Sequence, residues 1–278
     1  MIHKEFSLPY NNDQKYFAQQ WLPESDINAV IALIHGLGEH SGRYLHVANY
    51  FTQKEVALVS FDLYGHGKSG GKRGHLPSED TYFSSIDELL QYIKIEFPDK
   101  PIFLYGHSLG GEIVLWYSLV RKPKINGIIA TAPFLSSYIR VNPLKFFTAR
   151  TMNIINPSFI LNNGLDRKAL SRNATIIQAY NDDPLVHGSV SVRLGWKMIK
   201  KGEWLLEHAT EFPLPLLLMV GSEERLVNVE KINHFAKAVP KDRLDYKIWE
   251  GLYHELHNEP EKGLVFDYEL DWIKHHIN

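Results

Sequence analysis

The sequence predicts an α/β fold: a mainly parallel, doubly wound sheet with an inserted helical cap. Three observations carry this expectation. Short apolar runs recur along the chain, amphipathic helical patterns separate them, and one long stretch interrupts the alternation. The runs are continuous rather than alternating, as parallel strands covered on both faces require. Their alternation with helices is the mark of a doubly wound sheet. The chain has 278 residues, 44% of them hydrophobic, which is enough to bury one large core.

Taken in order, Val30–Ile34 and Val56–Phe61 read as the first buried strands. Ser78 then caps a helix whose apolar face is Tyr82, Phe83, Ile86, Leu89, Leu90, Ile93 and Phe97, at 3.6-residue spacing. Ile102–Tyr105 is a third strand. The helix after it carries Ile113, Val114, Leu115, Trp116 and Leu119, and is closed by Arg121, Lys122 and Pro123. Ile128–Thr131 is a fourth strand. From about Ser137 to Val192 no buried-strand run occurs, only scattered apolar residues such as Phe146, Phe147, Met152, Ile154, Ile155, Phe159, Ile160 and Leu161. That is too long for an ordinary loop. It reads as a helical cap over the carboxyl edge of the sheet, where sites of such folds lie, or else as an extra packed layer with no role in binding. The rhythm resumes with strand Leu216–Val220, helix Val229–Val239, strand Leu244–Trp249 and helix Leu264–Ile273. The expected division is a core of residues 1–136 and 193–278 with a cap of 137–192.

Gly106-His107-Ser108-Leu109-Gly110 joins the third strand to its helix. It matches G-x-S-x-G, the nucleophile elbow, in its proper strand–turn–helix setting. Gly106 and Gly110 let neighbouring backbone pass close by, and Ser108 is held clear of the sheet with a helix N-terminus behind it. A serine hydroxyl needs a base, and the base needs an orienting acid. In an α/β-hydrolase fold the chain order is Ser, acid, His. Glu224 follows the Leu216–Val220 strand and His254 follows the last strand, so both fall where that order requires them. His257 is the rival base, read as a surface or supporting residue because it lies further along. The oxyanion donors are expected to be the backbone N–H groups of Leu109, next to the nucleophile, and Leu37, in His35-Gly36-Leu37-Gly38. His35 reads as structural.

Other motifs fail their contexts. Gly65-His66-Gly67-Lys68-Ser69-Gly70 fits G-x-G-x-x-G, but Gly71, Gly74 and Pro77 follow, so no helix opens there. A P-loop reading of the same stretch puts Asp62 where the first glycine belongs. In His254-Glu255-Leu256-His257 the histidines are three apart, not the four of H-E-x-x-H, so no metal site is expected. No cofactor is implied. A formal net charge of −2 gives no reason to expect a nucleic-acid partner. The absence of cysteine removes disulfides and thiolate chemistry. The N-terminal residues lack the apolar core of a signal peptide and no apolar run is long enough to span a bilayer, so a cytoplasmic protein is expected.

His35-Gly36-Leu37-Gly38-Glu39-His40-Ser41-Gly42-Arg43-Tyr44 resembles the H-G-x-G-E-H-S-G-R-Y signature of monoacylglycerol lipases and related lysophospholipases, α/β-hydrolases of the serine aminopeptidase S33-like family. Asp62-Leu63-Tyr64-Gly65-His66-Gly67-Lys68-Ser69, Gly106-His107-Ser108-Leu109-Gly110-Gly111 and Asn181-Asp182-Asp183-Pro184-Leu185 resemble further family motifs, and the match runs to Pro260. The resemblance implies a serine esterase whose partner is a small acyl ester of monoacylglycerol or lysophospholipid type, with a cap that lines an acyl channel. Contact of that cap with a membrane surface stays open, with Phe146, Phe147, Phe159 and Ile160 as the residues able to provide it. It makes Glu39 and Arg43 candidate head-group contacts; an ion pair holding the oxyanion loop is the other reading. Peptidase or amidase activity, and a binding protein without turnover, are the alternatives. One position departs from the family: Gly221-Ser222-Glu223-Glu224-Arg225-Leu226-Val227 carries glutamate where the family motif has aspartate. On the sequence alone, Glu224→Asp should keep or raise activity and Glu224→Gln should lose it.

Overall fold

The computed structural model describes residues 1–10, 15–138 and 143–277, with the side chains of 143–147 outside that description. In chain order the strands are β1 (Ile2–Pro9), β2 (Lys15–Leu22), β3 (Ala29–Ile34), β4 (Val56–Phe61), β5 (Ile102–His107), β6 (Gly127–Thr131), β7 (Ile160–Asn162), β8 (Ser189–Ser191), β9 (Leu216–Gly221) and β10 (Leu244–Trp249). The helices are α1 (Leu45–Thr52), α2 (Asp80–Glu96), α3 (Leu109–Arg121), α4 (Pro143–Ile155), α5 (Ala174–Asp182), α6 (Val192–His208), α7 (Val229–Ala238) and α8 (Lys262–His275).

Eight strands form one sheet in the order β1-β2-β4-β3-β5-β6-β9-β10. The six strands expected from the sequence, β3, β4, β5, β6, β9 and β10, are its parallel part. Their continuous apolar runs resolve into two faces. Val30, Ala32, Leu104 and Ala130 pack under α2, α3, α6 and α7. Ile31, Leu33, Phe103, Tyr105 and Ile129 pack under α1 and α8. Each fully buried side chain of this kind contributes about 1.5–3 kcal/mol, and burial on both faces leaves no polar stripe to mark the strand period.

The antiparallel strands β1 and β2 extend one edge of the sheet and were not expected from the sequence. β1 is mostly exposed, so it lacks the apolar run that flags the others. Ser78 does not cap α2. The cap position is Glu79, without a side-chain capping bond, and the Ser78 carbonyl accepts the Thr81 N–H at 3.3 Å. The helix therefore starts about one residue later than the serine suggests. Asn228 caps α7 through its side chain.

Between β6 and β9 the chain builds α4, β7, α5, β8 and α6. β7 and β8 pair antiparallel apart from the main sheet. The helix α6 begins at Val192 and sends Leu194, Met198 and Leu205 into the core. Phe146 and Phe147 lie outside the described side chains. No helix among the described residues is long and apolar enough to cross a membrane.

Candidate active site

The turn from β5 into α3 places Ser108 at φ 53°, ψ −113°, in a region that L-residues enter only under constraint. The constraint is visible. Ser108 N–H donates to the Thr131 carbonyl on β6 at 3.0 Å, and the Ser108 carbonyl accepts the Phe134 N–H at 3.0 Å. Gly110 has no room for a side chain: a Cβ there would stand 2.1 Å from the Ile34 carbonyl oxygen. β3, β5 and β6 thus clamp the elbow from both sides.

The loops after β9 and β10 deliver the other two residues. His254 Nδ1–H donates to Glu224 Oε2 at 2.6 Å, which leaves Nε2 as the lone-pair nitrogen. Glu224 Oε1 accepts the amides of Leu226 at 2.6 Å and Val227 at 3.3 Å. Glu224 and His254 are 5% and 3% exposed, so the pair works in a medium where charge interactions are strong. Burial pushes the Glu224 carboxyl up, but His254 and the two amides outweigh it and hold it below its usual range. Burial pushes His254 down, and the Glu224 carboxylate reverses this, leaving the imidazole above its usual value. Ser108 and His254 line one cavity of about 210 Å³.

Leu37 lines the same cavity, and Leu109 is the first residue of α3. Among the described residues neither of their amides has a hydrogen-bond acceptor. The Leu37 loop is held from below. His35 Nε2 accepts the Leu63 N–H at 2.9 Å and Nδ1–H donates to the Gly36 carbonyl at 2.8 Å, a structural role as expected. Gly36 N–H donates to Glu39 Oε1 at 2.6 Å.

Glu39 and Arg43 form an ion pair at 2.5 Å. Arg43 also grips Glu255 with two bonds of 2.8 Å, and Tyr44 O–H donates to Glu39 at 2.8 Å. Burial pushes both carboxyls up, but the guanidinium outweighs it and holds them low. Tyr180 of α5 lies against the guanidinium, 4.6 Å from ring centroid to Cζ. Glu39, Arg43, Glu255 and Tyr180 all line the cavity.

A family model described as Serine aminopeptidase, S33 matches residues 25–261. The chain belongs to the serine aminopeptidase S33 family. It is 32% identical over 258 residues to the monoacylglycerol lipase of Mycolicibacterium smegmatis, covering 92% of each chain. It is also 35% identical over 260 residues to an uncharacterized abhydrolase domain-containing protein of Dictyostelium discoideum, of which it spans only 27%. The crystal structure of the Paleococcus ferrophilus monoacylglycerol lipase matches with a TM-score of 0.86 at 31% identity, over 94% of this chain and 99% of that one. The fold is that of the α/β-hydrolases.

Within this S33-family frame the structure brings Ser108, His254, Leu37, Glu39 and Arg43 around one cavity and sets Glu224 behind His254. It does not bring His257 there. That ring is fully buried, stacked on Tyr44 at 4.8 Å and edge-on to His107 at 4.9 Å. It is a buried packing residue rather than a surface one. Burial pushes it well below its usual value, and its nitrogens have no partner among the described residues. His107, beside Ser108, is pushed down to about 4 by burial and by His254; it meets Thr131 Oγ1 at 3.0 Å. Sequence reasoning missed Glu255 and Tyr180. Neither carries a sequence signal: the pairing of Glu255 with Arg43 and the approach of Tyr180 to it arise only in the packing.

The Gly65–Gly74 loop takes neither a dinucleotide nor a P-loop shape. Gly65 N–H closes onto the Gly70 carbonyl at 2.9 Å, and Asp62 accepts from the Lys68 amide, the Ser41 amide and the Ser41 hydroxyl. The family motifs around Asp62 and Ser41 are one hydrogen-bonded unit beneath the Leu37 loop.

Proposed function

We propose that this chain is a serine carboxylester hydrolase that cleaves monoacylglycerol-type esters through an acyl-enzyme. The observation that carries this is the 2.6 Å Glu224–His254 pair opening onto the same cavity as the elbow serine. The similarity to monoacylglycerol lipases supports the ester class.

In the proposed reaction His254 Nε2 takes the Ser108 proton as Oγ attacks the ester carbonyl. Glu224 fixes the tautomer and stabilises the imidazolium. The Leu37 and Leu109 amides receive the oxyanion, each contributing about 2.7–4 kcal/mol to the transition state. His254 gives its proton to the leaving glycerol oxygen. It then deprotonates a water that attacks the acyl carbonyl, and Ser108 leaves as the free hydroxyl.

Phe134, Leu165, Leu170, Met198 and Leu226 supply the apolar wall for an acyl chain. Glu39 and Glu255 both pair with Arg43, so its guanidinium is already engaged by carboxylates and is not free to receive an anionic phosphodiester. A neutral glycerol head fits better, which favours monoacylglycerol over lysophospholipid. We assign residues 137–192 to a cap that covers the site, because Asn163, Leu165 and Tyr180 of this stretch close the cavity over Ser108. Its outer surface exposes Ile154, Ile155, Phe159 and Leu161, a set of apolar side chains suited to resting on a lipid surface.

The test is intact-mass analysis after a fluorophosphonate, beside Ser108→Ala, followed by turnover of monoacylglycerol against lysophosphatidylcholine. One adduct on the parent chain, none on the variant, and faster monoacylglycerol turnover are expected. No adduct on a folded chain would reduce the protein to a ligand binder.

A further inference from the structure

The segment from Asp183 to Ser191 runs from the end of α5 into β8, and it is hydrogen-bonded to the core along its length. His40 Nε2–H donates to Asp183 Oδ2 at 2.8 Å. His187 N–H donates to the Gly38 carbonyl at 2.9 Å. The His187 ring donates through Nε2–H to the Gly65 carbonyl at 3.1 Å, while its Nδ1 accepts the Ser189 N–H at 3.2 Å. Ser191 N–H donates to the Gly74 carbonyl at 2.7 Å. The other side of the segment holds the cavity wall: the Gly188 carbonyl accepts the Asn163 N–H at 2.7 Å, and Asn163, Gly164 and Leu165 face the cavity.

The Gly38 contact is the informative one. Gly38 is the residue after Leu37, whose amide is a proposed oxyanion donor. It sits at φ +76°, and a Cβ there would stand 2.3 Å from the His187 carbonyl oxygen. The oxyanion loop and the cap segment therefore meet backbone to backbone, and any shift of one displaces the other. The imidazole keeps the segment at that distance, because its two nitrogens satisfy one core group and one segment group at once. Burial pushes the ring below its usual value, and the neutral form is the one both bonds need.

We propose that His187 is a positioning residue for the oxyanion hole: it seats the cap segment on Gly38, so that the cap's closed position and the orientation of the Leu37 amide are set together. This rests on the ester hydrolysis proposed above. It goes beyond that reading in assigning part of the transition-state geometry to a cap residue that does not line the cavity.

The experiment compares the parent chain, His187→Ala and His187→Gln on a soluble p-nitrophenyl ester, with active sites counted by end-point fluorophosphonate labelling. A glutamine amide reaches the Nε2 position and restores the bond to Gly65. Per active site, His187→Ala should lose about 10- to 100-fold in kcat, the scale of a sub-ångström to 1 Å misplacement, with KM within about twofold. His187→Gln should recover most of the loss. If His187→Ala does not fold, His187→Asn, which is too short to reach Gly65, replaces it. An unchanged kcat, a change in KM alone, or an equal kcat loss in the glutamine variant overturns the proposal. A parent chain that is neither labelled nor active overturns instead the reading it rests on.

Discussion

Glu224 touches His254 with one oxygen and two backbone amides with the other. Oε2 lies 2.6 Å from Nδ1, and Oε1 takes the Leu226 and Val227 N–H groups. Both contacts are made from the reach of a glutamate side chain. On this geometry the expected outcome for aspartate is a loss, in place of the parental or higher activity that the family motif suggests. Glu224→Asp should lower kcat by about 100-fold, because withdrawing the carboxylate by one C–C bond breaks one of the two contacts. Glu224→Gln should cost about 10⁴-fold, because a neutral amide fails to hold the tautomer and to stabilise the imidazolium. Single-turnover acylation rates on a soluble ester measure both, and an aspartate variant at parental speed would show that the loop after β9 adapts.

The same pair sets the acid limb of the pH profile. His254 must be neutral to accept the Ser108 proton. Burial lowers its pKa, and the Glu224 carboxylate more than reverses this, so the net shift is upward from 6.5. Activity should therefore fall as pH drops through a value above 6.5. In Glu224→Gln that carboxylate charge is gone and burial is opposed only by the smaller pull of Glu255 and Glu39, so the residual activity should persist to lower pH than in the parent. The kcat/KM profile reports the free-enzyme value. Coincident acid limbs in the two proteins would assign the titration to another group.

Arg43 separates two carboxylates that are each at most 2% exposed. Removing it leaves both charges buried and unpaired, and Arg43→Met should lose about 3–5 kcal/mol of stability. The loss should depend on pH. Without the guanidinium, burial raises the folded-state pKa of Glu39 and Glu255 above their unfolded values. Such groups favour the fold at low pH and cost stability as pH rises. Urea melts of Arg43→Met should therefore show a lower midpoint at about pH 8 than at about pH 5. Adding Glu39→Gln and Glu255→Gln should flatten that dependence.

The parallel strands and Ser108, Glu224 and His254 were legible because each leaves a local mark. Buried strands leave apolar runs, the elbow leaves spaced glycines, and the fold fixes the chain order of acid and base. β1 was not legible because an exposed edge strand needs no apolar run. Glu255 and His257 were misjudged for one reason: burial of a polar side chain is a property of tertiary packing, and the sequence shows only its polarity. Tyr180 comes from α5, more than a hundred residues from Arg43, and no spacing announces that contact. The role of glycines such as Gly38 was half visible. The motif gave the residue, and only the structure gave the carbonyl of His187 that excludes a side chain there.

The outer surface of the proposed cap gives the last prediction. Ile154 and Ile155, at the end of α4, are 78% and 71% exposed, and Phe159 and Leu161 nearby are 46% and 49% exposed. A fully buried side chain of this size gains about 1.5–3 kcal/mol, so even partial insertion of four of them gives measurable partition into a bilayer. Replacing Ile154 and Ile155 with serine should weaken binding to phosphatidylcholine vesicles by about 10-fold or more, the yield of some 1.4 kcal/mol. Neither residue lines the cavity, so turnover of a soluble short-chain ester should stay at the parental rate. Hydrolysis of monoacylglycerol held in vesicles should fall with the binding. Vesicle co-sedimentation and the two assays separate the effects. Unchanged co-sedimentation would free this surface of any membrane role, and a parallel loss on the soluble ester would mean that the two isoleucines support the cap itself.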